Sequence, residues 1–299
     1  MLGDPMSLRA HTKVPKLMSF PNERETRHMG TLLLESGKLT PDDMARVLQF
    51  HQESGLRFGE AAVKLGLVSE ADVNEAVALQ FKYRYLMPGQ SKISREIVAA
   101  YDPFSEEVEE LRALRAQLMM RCFGQGGKKR ALAIMGCSQG AGRSYLAANL
   151  AVVFSQLGQR TVLIDADIRN PRQHQLFGLT NSAGLSTILA GRGDLTLIQR
   201  IQGLTDLSLL TSGPVPPNPS ELLEGPTLLE VMEQLVASFD VVLLDTSSVE
   251  KSTEACSVAA RAGAALIVVH RYKTEVKAVQ ALIATLSGTE ILGTVLNDH

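Results

Sequence analysis

The segment that decides the fold is ALAIMGCSQGAGRSYLAAN, residues 131–149. An apolar run passes through a Gly-rich turn into a stretch of helix formers, and this succession predicts a buried strand, a tight loop and a helix. Backbone N–H groups of such a loop, with the positive end of the helix dipole, can hold phosphate oxygens. The pattern G-x-x-x-x-G-K-[ST] is incomplete, because Cys137 takes the first glycine position and Arg143 replaces the lysine. The segment predicts a nucleotide phosphate site, with a purely structural glycine turn as the alternative.

Two acidic turns extend this prediction. In LIDADIRNP, residues 163–171, an apolar run delivers Asp165 and Asp167 one residue apart, and in VVLLDT, residues 241–246, a similar run ends in Asp245. Carboxylates at strand ends suit Mg²⁺ and the activation of a nucleophile. The alternative is that each turn is merely solvated or caps a helix. The three turns in this order favour a nucleotide–Mg²⁺ site.

Strand-sized apolar runs alternate with helical stretches through the second part of the chain. Because the runs are apolar throughout, they predict a parallel sheet covered by helices on both faces, an α/β doubly wound fold. Ligands of such sheets bind at the carboxyl ends of the strands, where the three turns fall. The predicted strands are residues 131–135, 161–164, 207–210, 241–244, 265–269 and 293–296. The predicted helices are residues 105–123, 144–157, 220–237 and 274–286.

Composition limits the remaining function classes. The 299 residues are 45% hydrophobic with a net charge of −2, which indicates about two domains and no overall attraction to nucleic acid or anionic lipid. Cys122, Cys137 and Cys256 form no CxxC pair, so a reduced cytoplasmic protein without disulfides or zinc is expected. No apolar run reaches the roughly 18 residues of a membrane span, and the first residues lack a signal-peptide pattern. Any membrane association is expected to need another chain.

A pattern in the first part of the chain occurs twice. HMGTLLLESGKLTPDDMARVLQFH begins at residue 28, and RFGEAAVKLGLVSEADVNEAVALQ begins at residue 57. Each unit predicts a short helix, a Gly stop and a second helix, with Thr40 and Ser69 as N-caps that Asp43 and Asp72 complete. Two units with one apolar face each predict a small all-α tandem-repeat domain. The equivalent pairs are Gly30 with Gly59, Gly37 with Gly66, and Met44 with Val73.

The repeat resembles the N-terminal domain of type II secretion and type IV pilus assembly ATPases, in which a tandem motif can bind cyclic di-GMP. The second unit fits that motif well, whereas the first departs from it with His28 and His51. The resemblance implies a cyclic di-GMP site in which an arginine stacks on guanine or forks a phosphate. The implied residues are Arg57, Gly59, Gly66 and Gln80. The alternative is that the glycines only end helices and Arg57 faces solvent, in a domain that docks partners.

These patterns divide the chain into four predicted parts. They are a flexible tail over residues 1–26, the helical repeat domain over residues 27–85, a linker over residues 86–104 and the P-loop domain over residues 105–299. The linker mixes aromatic residues, proline and glycine without a clear period, so it is expected to pack only partly on a neighbour.

The motifs of the second domain resemble the deviant-Walker P-loop family that includes MinD-type ATPases and bacterial tyrosine kinases. IDAD is peculiar to that group, and SGPVPPNPSELL at residues 212–223 and GTVLN at residues 293–297 also match. Glu109, Arg112 and Arg115 match the E-x-x-R-x-x-R helix that joins subunits of bacterial tyrosine kinases into rings. With the repeat domain and the arginine in the loop, the whole architecture resembles the EpsG-type chain-length determinant tyrosine kinases of exopolysaccharide biosynthesis.

This resemblance implies a kinase-like enzyme or ATPase that uses ATP and Mg²⁺ and acts by positioning and charge neutralisation. It implies nucleotide contacts from Gly140, Ala141, Gly142, Arg143, Ser144, Tyr145 and Asn297, the last on adenine. It implies metal contacts from Ser144, Asp165, Asp167 and Asp245. Asp165 would orient or deprotonate the attacking tyrosine hydroxyl, with Arg143 as the second catalytic residue. Glu109, Arg112 and Arg115 would pair across subunits, or else form a solvated charged face.

The same resemblance implies a cytoplasmic protein held at the inner membrane by a membrane chain-length determinant protein, a homo-oligomeric ring and no nucleic-acid partner. The chain departs from the family in its tyrosines, which form no C-terminal cluster: they are Tyr83, Tyr85, Tyr101, Tyr145 and Tyr272. Tyr145 also fills a position usually held by a small hydroxyl residue, and Ser247-Ser248 replaces a Pro pair after Asp245. Autophosphorylation is therefore not expected.

Two hypotheses of different classes remain. The first is an ATP-dependent phosphotransferase or ATPase that regulates polysaccharide export. The second is a non-catalytic switch, in which ATP and cyclic di-GMP only set ring assembly.

Overall fold

The computed structural model describes residues 23–80, 85–86, 89, 91–124, 131–250 and 253–298. Most of the predicted tail and Tyr83 lie outside these residues. The described part of the chain divides into two compact units, one over residues 23–80 and the other from residue 85 onward. Among the described residues, no helix has the length and apolar character of a membrane span.

The first unit contains four helices: α1 (Glu23–Glu35), α2 (Pro41–Ser54), α3 (Phe58–Lys64) and α4 (Glu70–Gln80). The predicted N-caps are present. The Thr40 hydroxyl accepts the Asp43 N–H at 3.2 Å while the Asp43 carboxylate accepts the Thr40 N–H at 3.2 Å. Ser69 and Asp72 repeat this exchange ahead of α4, at 3.2 and 2.9 Å. Both caps satisfy backbone donors that a helix start otherwise leaves free.

Gly30 and Gly59, one of the two glycine pairs predicted to be equivalent, lie where neighbouring helices come closest. A Cβ on Gly30 would lie 2.1 Å from Met44 Cε, and one on Gly59 would lie 2.6 Å from Val73 Cγ1. The missing side chains therefore let the paired helices meet over an apolar core. Its buried members are Leu33, Leu39, Val47, Phe58, Ala61, Ala62, Val68 and Ala76.

The second unit is α/β, as predicted. Its strands are β1 (Ala131–Gly136), β2 (Thr161–Asp165), β3 (Gln199–Arg200), β4 (Leu207–Leu210), β5 (Val241–Asp245), β6 (Gly263–His270) and β7 (Glu290–Asn297). Its helices are α5 (Val98–Tyr101), α6 (Glu106–Leu118), α7 (Arg143–Gln156), α8 (Gln173–Leu176), α9 (Leu185–Leu189), α10 (Pro219–Glu224), α11 (Pro226–Ser238), α12 (Glu254–Ala262) and α13 (Val276–Thr285).

The seven strands form one sheet in the order β3-β4-β2-β5-β1-β6-β7. All neighbours are parallel except the short edge strand β3, which runs antiparallel to β4. Every residue of β1, β2, β4 and β5 is buried. Separate apolar clusters cover the two faces, because alternate strand residues point to opposite sides. The two faces explain why these strands read as continuous apolar runs.

Two predicted helices differ from the structure. The single helix predicted over residues 220–237 is wrong, because α10 and α11 are separate and Gly225 between them is extended, with ψ of 162°. Pro226 disfavours a helical conformation at the residue before it and begins α11 instead. The helix predicted over residues 105–123 ends its regular α geometry at Leu118 and continues as a π-helical turn over Met119–Phe123.

Residues ahead of α6 pack on the second unit. Ile93 and Ile97 are buried in the same cluster as the helix α7 side chain Phe154. Asn149 of α7 accepts the Ala99 N–H at 3.0 Å and donates to the Glu96 carbonyl at 3.1 Å. A buried amide that pairs with backbone on both sides fixes this segment against α7.

Candidate nucleotide and metal site

The candidate site lies at the carboxyl edge of the sheet, where β1, β5 and β2 end side by side. Asp165 ends β2 directly opposite Asp245, which ends β5, and Ile134 of β1 is in register with Asp245. Parallel register therefore brings together the three turns that the sequence singled out. This edge is where open α/β sheets bind their ligands.

The Gly-rich loop turns sharply between β1 and α7. Gly140 and Gly142 have φ values of 76° and 92°, a left-handed conformation that residues with a Cβ disfavour. Gly142 also makes room for Asn297, since a Cβ there would lie 2.2 Å from Asn297 Nδ2. That amide donates to the Ala141 carbonyl at 3.1 Å, so the predicted adenine contact also braces the loop. Helix α7 starts at Arg143, and its free N–H groups and positive dipole end adjoin the loop.

Arg143 is buried and crosses the end of β1. Gly136 permits this path, because a Cβ there would lie 2.9 Å from Arg143 Cδ. Its Nη1 donates to the Thr246 carbonyl at 2.6 Å, and its Nε has no hydrogen-bond partner among the described residues. Burial lowers the pKa of Arg143, and the negative charges of Asp245 and Asp167 oppose that shift. Because an arginine stays protonated through such shifts, a positive charge lies beside both carboxylates.

The two carboxylates of the IDAD turn are held differently. Asp165 is fully buried, and its Oδ2 accepts the N–H groups of Arg172 and Gln173 at 3.0 and 2.9 Å. Asp167 is slightly more exposed, and its Oδ1 accepts the Asn170 N–H at 3.0 Å. Burial raises the pKa of Asp165 well above its usual range, and the charge of Asp245 raises it further. A positive ion or donor between the two strand ends would offset this repulsion.

Gln173 is a central residue of the site that the sequence reasoning missed. Its fully buried side-chain amide donates to the Ser144 carbonyl at 3.0 Å and to Asp245 Oδ2 at 2.8 Å. Its backbone N–H donates to Asp165, so one residue connects the Gly-rich loop with both acidic strand ends. No local pattern marks a glutamine in the polar stretch after LIDADIRNP as buried. Only the short helix α8, folded back under the site, brings it there.

The side chains fit a hydrated Mg²⁺ ion that shares phosphate ligands. Asp245 is fully buried, which raises its pKa, while the Gln173 amide, the Ser144 hydroxyl and the Arg143 charge act in the opposite direction. Asp165 Oδ1 and Asp245 Oδ1 are buried without a hydrogen-bond partner among the described residues. Across those residues, no three His, Cys, Asp or Glu side chains converge to hold a metal alone. Mg²⁺ in nucleotide sites takes most of its ligands from phosphate and water, so this donor set is compatible with it.

A hollow of about 250 Å³ adjoins the Gly-rich loop on the side of β6 and β7. Its lining combines apolar Leu111 and Leu114 of α6 with Gly142, Tyr145 and Asn297. The Tyr145 hydroxyl donates to the Glu107 carboxylate, and burial together with this bond raises the pKa of Tyr145. Apolar walls with a few polar groups suit a flat heterocycle. Tyr145, which departs from the family pattern, thus connects α7 to α6 across this hollow.

The predicted oligomerisation residues of α6 form contacts within the chain. Arg112 pairs with the Glu109 carboxylate one turn away, and the Glu109 side chain is 62% exposed. Arg115 donates to the Val153 carbonyl of α7 at 2.7 Å. All three residues lie on α6, and both arginines contact their own chain in this structure.

An ion pair between the exposed Arg169 and the buried Glu254 anchors the IDAD turn. Arg169 donates from Nε and Nη2 to the buried carboxylate of Glu254, at 3.1 and 2.7 Å. The Ser220 hydroxyl donates to the same carboxylate at 2.6 Å. A forked arginine–carboxylate contact is geometrically demanding. It fixes the turn that carries Asp167 against α10 and α12.

The residues implied for cyclic di-GMP belong to the helical unit. Arg57 is exposed, and its backbone N–H donates to Glu60 at 3.1 Å. Gly59 is buried under Val73, and Gly66 turns the chain after α3 with φ of 68°. Gln80 is half-buried at the end of α4. Both glycines therefore have a structural role that does not depend on a ligand.

Comparison with protein families matches residues 127–248 to the ParA family, described as NUBPL iron-transfer P-loop NTPase. Tyrosine-protein kinase YwqD of Bacillus subtilis is 33% identical over 211 residues, covering 69% of this chain and 87% of that protein. Tyrosine-protein kinase wzc of Salmonella typhimurium is 33% identical over 204 residues, covering 68% of this chain and 28% of that protein. The chain therefore spans only a minor part of the longer relative.

A solved structure agrees with the sequence relatives. The kinase domain of Escherichia coli tyrosine kinase ETK matches with a TM-score of 0.64 at 32% identity, over 67% of this chain and 79% of that one. Sequence and fold thus confirm the predicted P-loop, tyrosine-kinase class. This chain belongs to the family of bacterial tyrosine-protein kinases.

Proposed function

We propose that this chain is an ATP- and Mg²⁺-dependent tyrosine-protein kinase that regulates exopolysaccharide biosynthesis, controlling chain length or export by phosphotransfer or ATP hydrolysis. One observation carries the proposal. Four buried polar atoms lack partners among the described residues in the crevice, by which we mean the space between the Gly-rich loop and the carboxyl ends of β2 and β5. They are Asp165 Oδ1, Asp245 Oδ1, Gln173 Oε1 and Arg143 Nε. Leaving such a group unpaired costs about 1–3 kcal/mol. Folds keep unpaired buried groups mainly where a bound ligand supplies the missing hydrogen-bond partner.

The Gly-rich loop is the proposed phosphate cradle. The backbone of Gly140, Ala141 and Gly142 and the start of α7 would hold phosphate oxygens. Arg143 would place a positive charge beside the phosphates. Its hydrogen bond to the Thr246 carbonyl holds the side chain in position. The hollow beside Tyr145 and Asn297 would receive the adenine. These positions follow from loop geometry and from the apolar lining of the hollow.

The acidic side chains have complementary proposed roles. Ser144, Asp167 and Asp245 would hold Mg²⁺ and its waters, and the ion when bound neutralises charge on the phosphates. Asp165 lies within the same predicted metal set, and we assign it the orientation of the attacking tyrosine hydroxyl and the acceptance of its proton. A buried carboxylate whose pKa is raised is a better proton acceptor than an exposed one.

We further propose that the chain works in the cytoplasm as a homo-oligomeric ring, at the inner membrane, with a membrane chain-length determinant protein as partner. The exposed Glu109 carboxylate on α6 supports this, since it faces solvent where a neighbouring arginine could pair with it. For ring formation, Arg112 would exchange its internal partner for one across the interface.

The direct test is Mg²⁺-dependent ATP turnover and phosphotyrosine formation by the purified chain, with and without a membrane partner. We expect chelation of Mg²⁺ to abolish both. The matched control is Asp240→Asn at the opposite end of β5, where Asp240 pairs with Arg160 at the surface and turnover should persist. Absence of turnover with the partner present would rule out the enzymatic proposal.

A second candidate function is a non-catalytic switch in which ATP and cyclic di-GMP set ring assembly. The exposed Arg57 beside the Gly59 helix contact is the observation in its favour. It requires nucleotide-dependent oligomerisation with negligible hydrolysis, and Arg143→Lys would then raise turnover. Under this hypothesis Arg57→Ala abolishes cyclic di-GMP binding in a calorimetric titration, whereas Arg46→Ala on the exposed face of α2 does not. Unchanged affinity of the Arg57 variant removes cyclic di-GMP from the proposal.

A further inference from the structure

The turn between β6 and α13 carries the most unusual tyrosine of the described chain. Tyr272 is 90% exposed and, among the described residues other than glycine, alone has a positive φ, of 63°. Such a conformation is strained for an aromatic residue and persists only where the surroundings enforce it. Here the Lys273 and Thr274 N–H groups donate to the His270 carbonyl, and the Thr274 hydroxyl accepts the His270 N–H at 3.1 Å. The turn is thereby stiffened with the tyrosine at its tip.

The other described tyrosines are unsuited to receive a phosphoryl group in the folded state. Tyr101 donates to the Ile93 carbonyl at 2.6 Å, and Tyr145 is bonded to Glu107. Tyr85 is half-buried and has contacts of its own. Only Tyr272 among them projects its hydroxyl into solvent, where a kinase crevice could engage it.

Charge around Tyr272 favours a phosphorylated product. The Arg271 guanidinium lies 4.6 Å from the centre of the Tyr272 ring and also pairs with the Asp298 carboxylate at 2.7 Å. The exposed Lys273 follows Tyr272 directly. Lys273 and the Arg271 guanidinium, whose charge Asp298 partly neutralises, would attract the negative charges of a phosphotyrosine. A cleft lined by Lys273, Thr274, Cys137 and Ser138 shows that this turn borders the Gly-rich loop. The tyrosine thus lies on the face of the molecule that carries the nucleotide site.

We propose that Tyr272 is a phosphoacceptor, modified by a second copy of this chain, which revises the expectation that the missing C-terminal tyrosine cluster excludes autophosphorylation. The proposal rests on the kinase function proposed above. Transfer within one copy is disfavoured because β6 and the Asp165 end of β2 are separated by β1 and β5, three strand spacings or about 14 Å. The stiff turn cannot carry the ring across that distance.

The chemistry needs only a nucleoside triphosphate and Mg²⁺. The Tyr272 hydroxyl oxygen forms a bond to the γ-phosphorus while the bond from that phosphorus to the β,γ-bridging oxygen breaks. The leaving electron pair departs with ADP, and the phenol proton passes to Asp165 of the other copy. The products are phosphotyrosine and ADP.

Mixing two variants of the full-length protein tests the proposal. The donor is Tyr272→Phe, with its catalytic residues intact, and the acceptor is ¹⁵N-labelled Asp165→Asn, with Tyr272 intact. After incubation with Mg²⁺-ATP, cleavage after glutamate yields a peptide between Glu254 and Glu275 that contains no other tyrosine. We expect phosphate on the heavy form of this peptide, at least tenfold above the acceptor alone. Heavy peptide that stays unmodified overturns the proposal.

Two controls separate this proposal from the kinase function. The Tyr272→Phe donor should phosphorylate a soluble glutamate–tyrosine copolymer at the wild-type rate. A labelled copolymer with unmodified Tyr272 refutes the acceptor assignment and leaves the kinase function intact, whereas an unlabelled copolymer refutes the kinase function itself. Tyr101→Phe is the matched substitution, and it should leave phosphate on the Tyr272 peptide unchanged.

Discussion

The helical repeat unit and the α/β unit differ in how their polar side chains are paired. In the repeat unit, Thr40 with Asp43 and Ser69 with Asp72 satisfy each other within a few residues of sequence. In the α/β unit, Asp165 and Asp245 are fully buried, face each other across adjacent strands and each leave one oxygen without a partner in the described chain. The first arrangement serves stability. The second lowers stability in a crevice that we propose a charged ligand completes, as is common at functional sites.

The largest expected effect is a loss of phosphotransfer together with a gain in folding stability, from substitution of Asp165. Asp165→Asn keeps an oxygen for the Arg172 and Gln173 N–H groups but removes a buried charge beside Asp245. We expect phosphotransfer to fall about 10²- to 10⁴-fold, as for loss of a general base. Stability at neutral pH should rise by about 1 kcal/mol, because a repulsive buried charge is gone. Initial rates and urea unfolding measure the two effects, and an active or destabilised variant contradicts the contrast.

A smaller loss of phosphotransfer should follow from removing the hydrogen bonds by which Gln173 links the Gly-rich loop to Asp245. Gln173→Leu removes the donor to the Ser144 carbonyl and to Asp245 Oδ2 at nearly constant volume. We expect kcat to fall about 10- to 100-fold, or about 1.4–2.7 kcal/mol in transition-state stabilisation. ATP affinity should change less, since Gln173 acts through the residues that it positions. Gln175→Leu, exposed on the same short helix, is the matched control, and an equal effect of both would point to a general loss of structure.

The repeat unit should respond in stability rather than in phosphotransfer. Gly59→Ala places a Cβ 2.6 Å from Val73 Cγ1, and overpacking of this kind costs about 1–3 kcal/mol. In a Val73→Ala background the same change should be neutral or stabilising, because alanine favours a helix over glycine. Hydrogen exchange of α2 to α4 in the full chain reports this sign change. The absence of coupling would mean that the helices do not meet at Gly59.

The smallest expected effect is a pH dependence confined to the repeat unit. Bonds from Lys38 and Ser69 lower the pKa of Asp72 from 3.8 to about 2. Because the folded pKa is depressed, the stabilisation is complete above pH 3.8 and is lost as pH falls toward 2. Asp72→Asn should lower stability at neutral pH by about 1 kcal/mol and flatten this acid dependence. Hydrogen exchange of α4 measures it, with Asp42→Asn, on the exposed first turn of α2, as the control.

The sequence by itself determined what short-range patterns encode. Continuous apolar runs predicted the parallel sheet, the spacing of Ser-x-x-Asp predicted a helix start, and the Gly-rich turn after β1 located the candidate site. Each of these depends on residues within one turn or one strand. The break at Pro226 was also readable, because proline restricts the residue before it.

Only the tertiary structure decided which distant groups share the crevice. Gln173 reaches Ser144 and Asp245 because α8 folds back under the loop, and Arg143 reaches Thr246 because β1 and β5 are neighbours. The exposure of Tyr272 likewise follows from its place at the tip of a turn, not from its sequence context. Strand order and burial are set by packing across the whole domain, so no local pattern could reveal them.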